Sequence, residues 1–232
     1  MTEPLLTLSP RLRMIASLVP TCKAAADIGA DHGRLSAALL LEGTCQHMLV
    51  CDISEPSLAK ARGLFASIGL TEHASFCVGD GLAAYEAEQH PEAIVIAGVG
   101  GATACGILER GRSRIGNAAL IISPMLGIED VRRYLGDNGY AIEAECIIRS
   151  ANRWALALRA RRSPDAVPYT RVQCLLGPHL SEEGSEGFMC WLQWRIDVLE
   201  DAERSLLHAN DASRLAQVQA DLALLHGRLH AE

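Results

Sequence analysis

Apolar and polar positions follow two rhythms along this 232-residue chain, and the change comes near Tyr140. Up to that point short apolar runs, mostly closed by glycine, alternate with longer segments whose apolar residues recur every three or four positions. The runs at 23–29, 46–54, 74–81, 92–101 and 118–125 predict five strands. The segments at 34–43, 55–70, 82–89, 102–111 and 127–140 predict the helices between them. Such alternation implies a parallel sheet with helices on both faces. The fourth and fifth runs contain "AIVIAG" and "ALIIS", continuous apolar stretches expected of strands buried on both sides.

Beyond Tyr140 two strands, 141–150 and 153–162, are separated only by Ala151 and Asn152. So short a turn permits an antiparallel hairpin and forbids a parallel crossover. The expected fold is therefore α/β: a Rossmann-like sheet of seven strands with one antiparallel strand. An NAD-binding sheet would more often continue with another crossover. The segment 161–170 holds two prolines and reads as a connector. From about Phe188 the chain is helical. Leu215, Val218, Leu222, Leu225 and Leu229 form a heptad seam. Leu192, Ile196, Leu199 and Leu206 form a looser stripe interrupted by Glu203. Asn210, Asp211 and Ser213 supply turn and cap chemistry between them. The prediction is a coiled-coil-like helical hairpin, with domains at 1–163 and 164–232. A weak homodimer through these helices is the corresponding expectation.

Composition narrows the picture. Hydrophobic residues make up 49% of the chain, yet no apolar run approaches the ~20 residues needed to span a bilayer. The N-terminal stretch has Glu3 early and no long apolar segment, so a cytoplasmic protein without membrane contact is expected. The eight cysteines stand singly with no CxxC pair, which reads as reduced thiols and no metal site. Net charge is −7, which argues against a surface generally coated by nucleic acid. Local cationic clusters remain: Arg11 with Arg13, Arg110 with Arg112 and Arg114, and Arg159 with Arg161 and Arg162.

The chemistry is concentrated at strand ends. "ADIGADHG", residues 26–33, lies where the first strand passes into a helix. Gly29 and Gly33 allow a tight turn and close approach to a ligand. The G-x-G-x-x-G spacing of a pyrophosphate loop is absent, and Asp27 and Asp31 would repel phosphate. Two carboxylates suit a ligand carrying an ammonium and a sulfonium, namely S-adenosylmethionine. Asp52 ends the second strand, where an acid can accept from both ribose hydroxyls. Asp80, in "GDG" after the third strand, is placed to meet an adenine amino group. Ile53 and Gly81 flank these acids and are grouped with them as cofactor-binding residues. The bland alternatives are that Asp27 caps a turn, that Asp31 caps the following helix, and that His32 bonds locally.

Taken together, "LSPRLRMIASLVP", "ADIGADHGRL", "GDGL", "IVIAGVGG", "LGDNGY" and "LGPHL" make the chain resemble the bacterial tRNA (adenine(22)-N(1))-methyltransferases almost end to end. The resemblance implies a class I methyltransferase domain, a C-terminal helical domain and tRNA as substrate. Carried over by position, it implies that Asp27, Gly29, Asp52 and Asp80 bind S-adenosylmethionine. Asp31 and His32 would stand nearest the transferring methyl group, and Gly98 to Gly101 would close the far side of the pocket. Arg11, Arg13, Ser123, Pro124 and Met125 are the expected substrate contacts. Where the family has a Gln-Pro-Asn stretch, this chain reads Ser123–Pro124–Met125. Recognition of the target base is therefore the part that the resemblance does not carry. Two other readings stay open on the residues: a methyltransferase for a small molecule or another RNA, and a non-catalytic cofactor-binding module.

Overall fold

The structure is a computed structural model that describes residues 6–150, 153–180, 186–209 and 211–229. The expected hairpin turn at Ala151–Asn152 and the turn residue Asn210 lie outside the described residues. The chain divides into two compact units, Met1–Pro168 and Tyr169–Glu232. The connector predicted to open the second domain at 164 starts out attached to the first unit. Ser163 N–H donates to the Gly139 carbonyl at 3.0 Å, and Ala166 N–H donates to Ser163.

The first unit is built on seven strands: β1 (Cys22–Ile28), β2 (Cys45–Asp52), β3 (Ala74–Val78), β4 (Ala93–Ala97), β5 (Ala119–Ser123), β6 (Tyr140–Ser150) and β7 (Arg153–Arg162). They lie in the order β3-β2-β1-β4-β5-β7-β6. The β1–β2, β1–β4, β2–β3 and β4–β5 pairs are parallel. β7 runs antiparallel to both β5 and β6, so the hairpin folds back and inserts its second strand into the sheet. β1 pairs on both sides, with β2 and β4, so the strand order reverses there. Open α/β sheets bind ligands beyond the carboxyl ends of the strands at such a reversal.

The helices of this unit are α1 (Pro10–Leu18), α2 (Arg34–Leu41), α3 (Glu55–Ser67), α4 (Gly101–Arg110), the short α5 (Arg112–Ile115) and α6 (Ile128–Asp137). α1 precedes the first predicted element. Its start follows from local chemistry: Ser9 caps it by accepting from Leu12 N–H at 3.3 Å, and Pro10 opens the first turn. Its Ile15 and Leu18 are buried against the sheet core. The helix predicted at 82–89 is absent. Two 3₁₀ turns, Gly81–Ala84 and Ala87–Gln89, stand there instead. Tyr85 between them is extended and fully buried, with its hydroxyl donating to the Arg114 carbonyl at 3.2 Å. Anchoring that ring breaks the helical path.

An ion pair lies inside the unit. Arg132 on α6 donates from Nε to Glu145 Oε1 on β6 at 2.8 Å, and both side chains are essentially inaccessible. The second unit contains α7 (Arg171–Leu176), α8 (Glu186–Leu206) and α9 (Ala212–Leu229). α7, capped by Thr170 with Gln173, occupies sequence predicted as linker. Gln219 reaches Glu203, and His226 lies 3.6 Å from Glu200, so α8 and α9 run antiparallel. Val218, Leu222 and Leu225 of the predicted seam are buried within this unit, as are Leu192, Ile196 and Leu199. The seam is thus used inside one chain. Asp221 lies beside it, buried and held by Arg171 Nε at 2.8 Å and Gln217 at 2.9 Å. All eight cysteines are free thiols, and Cys190 on α8 is exposed. Among the described residues no helix is long and apolar enough to cross a membrane.

Candidate active site

A cavity of about 560 Å³ opens beyond the carboxyl ends of β1, β2 and β4. That is within the ~300–1,000 Å³ typical of small-ligand sites. Its wall contains Asp27, Gly29, Asp31, His32, Asp52, Ile53 and Gly98, with Ser9, Arg11 and Leu12 from the start of α1.

The loop after β1 is hung on the end of β2. Gly29 and Ala30 N–H groups donate to the Cys51 carbonyl at 2.9 and 3.0 Å. Asp31 N–H donates to Asp52 Oδ2 at 2.9 Å, and Ser54 N–H donates to Asp52 Oδ1 at 2.8 Å. Asp52 therefore fixes two loops while each oxygen keeps a second acceptor position. Gly29 has φ of 75°, and Asp31 has φ of 50°. Asp31 thus occupies the left-handed region, where aspartate and asparagine are the better tolerated non-glycine residues. It does not cap α2; Gly33 is at the cap position. The Asp31 carboxylate instead meets His32 Nδ1 at 2.5 Å, with both side chains about half exposed.

Asp27 differs from its neighbours. It is 4% exposed, and Ser36 Oγ donates to its Oδ2 at 2.7 Å. Burial pushes its carboxyl up to about 6, the Ser36 bond works against that rise, and the charge of Asp52 adds to it. Ser36 was not legible as a site residue. Its signal is one hydroxyl on the buried face of the apolar run "RLSAALLL".

The remaining expected residues divide. Gly33 does not line the cavity; a Cβ there would come within 3.0 Å of the Ala61 side chain, so the glycine serves the packing of α2 on α3. Asp80 and Gly81 line a separate cavity of about 180 Å³. The Asp80 carboxylate takes Arg110 Nη2 at 3.2 Å, a contact invisible across thirty residues of sequence. Ser123 is turned away from both cavities and is 1% exposed, its hydroxyl donating to the Leu156 carbonyl at 2.9 Å. Pro124 and Met125 line a further cavity of about 210 Å³, which shares Arg11 with the large one. The guanidinium of Arg11 also donates to the Ser123 carbonyl at 3.4 Å, and burial lowers its pKa.

Several predicted cations are engaged within the chain. Arg13 pairs with Glu42, and Arg114 donates to the Tyr85 carbonyl. Arg159 and Arg161 face Glu143 at 2.9 and 3.5 Å. Arg162 lies 5.1 Å from the centroid of the Tyr140 ring.

Comparison with known proteins gives a consistent picture. The methyltransferase domain model matches residues 8–155. The tRNA (adenine(22)-N(1))-methyltransferase of Bacillus subtilis is 27% identical over 223 residues, covering 94% of this chain and 93% of that one. The crystal structure of the B. subtilis m1A22 tRNA methyltransferase superposes with a TM-score of 0.85 at 26% identity, covering 97% and 99% of the two chains. A Streptococcus pneumoniae protein crystallised in complex with S-adenosyl-L-methionine superposes with a TM-score of 0.86 at 27% identity, covering 97% and 100%. The residues matched by the domain model hold β1 to β6, the start of β7 and the whole lining of the large cavity. The chain belongs to the methyltransferase domain family.

Proposed function

We propose that this protein transfers a methyl group from S-adenosylmethionine to N1 of an adenine in tRNA. The observation that carries the reading is the acid-lined cavity at the strand-order reversal, in a chain similar almost end to end to a protein named for that reaction. The residues present fit the cofactor. Three aspartates surround a cavity of suitable volume, and one of them is buried with a raised pKa, a carboxylate that gains from a cationic partner.

When bound, S-adenosylmethionine supplies an electrophilic methyl group on a sulfonium. Asp27 offers a buried charge to the ligand's ammonium. Asp52 offers its remaining lone pairs to ribose hydroxyls. Gly29 and Gly98, at φ of 75° and 81°, bring backbone to the cavity surface without side chains. Asp80 supports a role beside the adenine only if Arg110 shares or releases its carboxylate.

Adenine N1 has an in-plane lone pair and attacks without a strong base. The chain's contribution is then orientation and electrostatics. N1 is on the Watson–Crick edge, so the base has to leave its stack to react. Asp31 and His32, half exposed and joined to each other, are the residues assigned to meet it. Asp31 stabilises the positive charge that the base acquires, and His32 holds the carboxylate in place. The test is methylation of bulk tRNA with isotopically labelled S-adenosylmethionine, followed by nuclease digestion and mass spectrometry. Labelled 1-methyladenosine is the expected product. Label in any other nucleoside, or none at all, overturns the proposal.

A further inference from the structure

Two cavities of opposite character meet at Arg11. The large one is lined by Asp27, Asp31 and Asp52 and suits a cation. The smaller, about 210 Å³, is lined by Pro124, Met125, Arg153 and Trp154 as well as Arg11, and its described lining has no carboxylate. The small cavity therefore combines apolar surface with positive charge in a chain whose net charge is −7.

Its residues are presented rather than packed away. Met125 is 65% exposed and the adjoining Leu126 73%. Trp154 is partly exposed, while Arg149 and Arg153 are exposed. Arg149 and Trp154 face each other across the β6–β7 hairpin, and the Arg149 guanidinium lies 6.0 Å from the indole centroid. A cation placed over an indole is attracted by the ring quadrupole and helps to orient the ring. Aromatic rings beside backbone-tracking cations are how proteins hold single-stranded nucleic acid.

We propose that Trp154, with Met125 in the same cavity and Arg153 and Arg149 beside it, is the stacking seat for an unpaired base that flanks the target nucleotide in the RNA substrate. The inference rests on the RNA methyltransferase reading above and extends it to residues that reading does not use. The occupant is a polynucleotide rather than an apolar peptide because the lining pairs its exposed apolar surface with arginines and with no carboxylate. It is a flanking base, because the reacting base must reach Asp31 and His32 in the neighbouring cavity. Arg11, on the wall shared by the two cavities, is placed to take the phosphate between the two nucleotides.

The test uses the full chain with S-adenosylhomocysteine present and bulk tRNA as the titrant. Trp154→Ala should weaken tRNA binding on the order of 10-fold, the scale of losing one stacked aromatic. Trp154→Phe should restore most of that loss. S-adenosylhomocysteine affinity should be unchanged in both variants. Arg153→Glu, at an exposed position, should also weaken tRNA binding and flatten its dependence on salt. Indole fluorescence of the wild type should be quenched by tRNA, and the quench should be smaller in Trp154→Phe, where Trp191 and Trp194 are the remaining indoles. Wild-type tRNA affinity in both Trp154→Ala and Arg153→Glu, or a quench as large in Trp154→Phe as in the wild type, overturns the seat while leaving the methyltransferase reading intact. A wild-type chain that binds S-adenosylhomocysteine but no tRNA overturns the RNA reading, and the seat with it.

Discussion

Asp27 is a carboxyl group held away from water, with one serine hydroxyl and, among the described residues, no cation acting on it. Its pKa moves from 3.8 to about 6, so between those values the folded chain holds a proton that the unfolded chain has released. Folding stability attributable to Asp27 therefore falls as pH rises through that window, by about 3 kcal/mol in all for two pKa units. Below pH 3.8 the penalty is absent, and above 6 it is complete. A ligand ammonium needs the ionised form, so binding below pH 6 has to release that proton. S-adenosylmethionine affinity should then fall roughly tenfold per pH unit below 6 and level off above it. Calorimetry from pH 5 to 8, in buffers of different ionisation enthalpy, checks both the slope and the proton; a flat affinity would remove Asp27 from the cationic end of the ligand. Asp31 makes a different prediction. Asparagine tolerates its left-handed backbone and keeps the N–H bond to Asp52, so Asp31→Asn should leave cofactor affinity nearly unchanged. Single-turnover methyl transfer should slow on the order of 100-fold, the scale for removing one electrostatic stabiliser. Transfer at the wild-type rate would reduce Asp31 to a loop residue. Asp27, Asp31 and Asp52 were legible because strand ends can be located from apolar runs. Ser36 and the Asp80–Arg110 pair were not, because nothing local says which polar residues meet across a fold.

Strands read well from the chain because buried parallel strands are continuous apolar runs with glycine near their ends. The errors fall on short elements. α1 announces itself only by Ser9–Pro10, and α7 only by Thr170 and Gln173 after two prolines, signals that a nine- or six-residue helix barely amplifies. The 82–89 segment had helix-forming residues but too few apolar positions to outweigh the burial of Tyr85. The contact between α6 and β6 was likewise hidden, since Arg132 sits in a charged helix and looks solvated in sequence. In the fold it is inaccessible and paired with Glu145. Glu145→Ala should destabilise the first unit by about 3–5 kcal/mol, because it leaves a buried guanidinium without its carboxylate. Replacing both, Arg132→Met with Glu145→Leu, should recover most of the loss. Urea denaturation of the wild type and the two variants measures this. A single substitution as stable as the wild type would mean that water reaches the pair.

At the scale of the molecule, every residue lining the large cavity lies before Pro168, where the first unit ends. A chain stopped at Pro168 should bind S-adenosylhomocysteine as the whole chain does and bind tRNA more weakly. Loss of the small ligand from a folded truncation would show that the division into units does not separate the two tasks. The loops after β4 and β5 are sewn together by backbone. Gly98 N–H donates to the Ser123 carbonyl at 3.1 Å, Met125 N–H to Val99 at 2.8 Å, and Gly101 N–H to Leu126 at 2.8 Å. A Cβ on Gly101 would lie 2.1 Å from the Gly127 oxygen, so the two loops touch with no slack. One loop borders the cavity for the small ligand, and the other carries Met125. Any displacement caused by filling one site is then felt at the other, and the two affinities become thermodynamically linked. Linkage is reciprocal: the factor by which S-adenosylhomocysteine tightens tRNA must equal the factor by which tRNA tightens S-adenosylhomocysteine. A factor of about 5–150 is the usual range for such coupling. Gly101→Ala, which forces the loops apart, should bring it towards one. Four dissociation constants, each ligand measured with and without the other, determine the factor in either protein. A wild-type factor of one would mean that the joined loops keep a single shape whichever ligand arrives first.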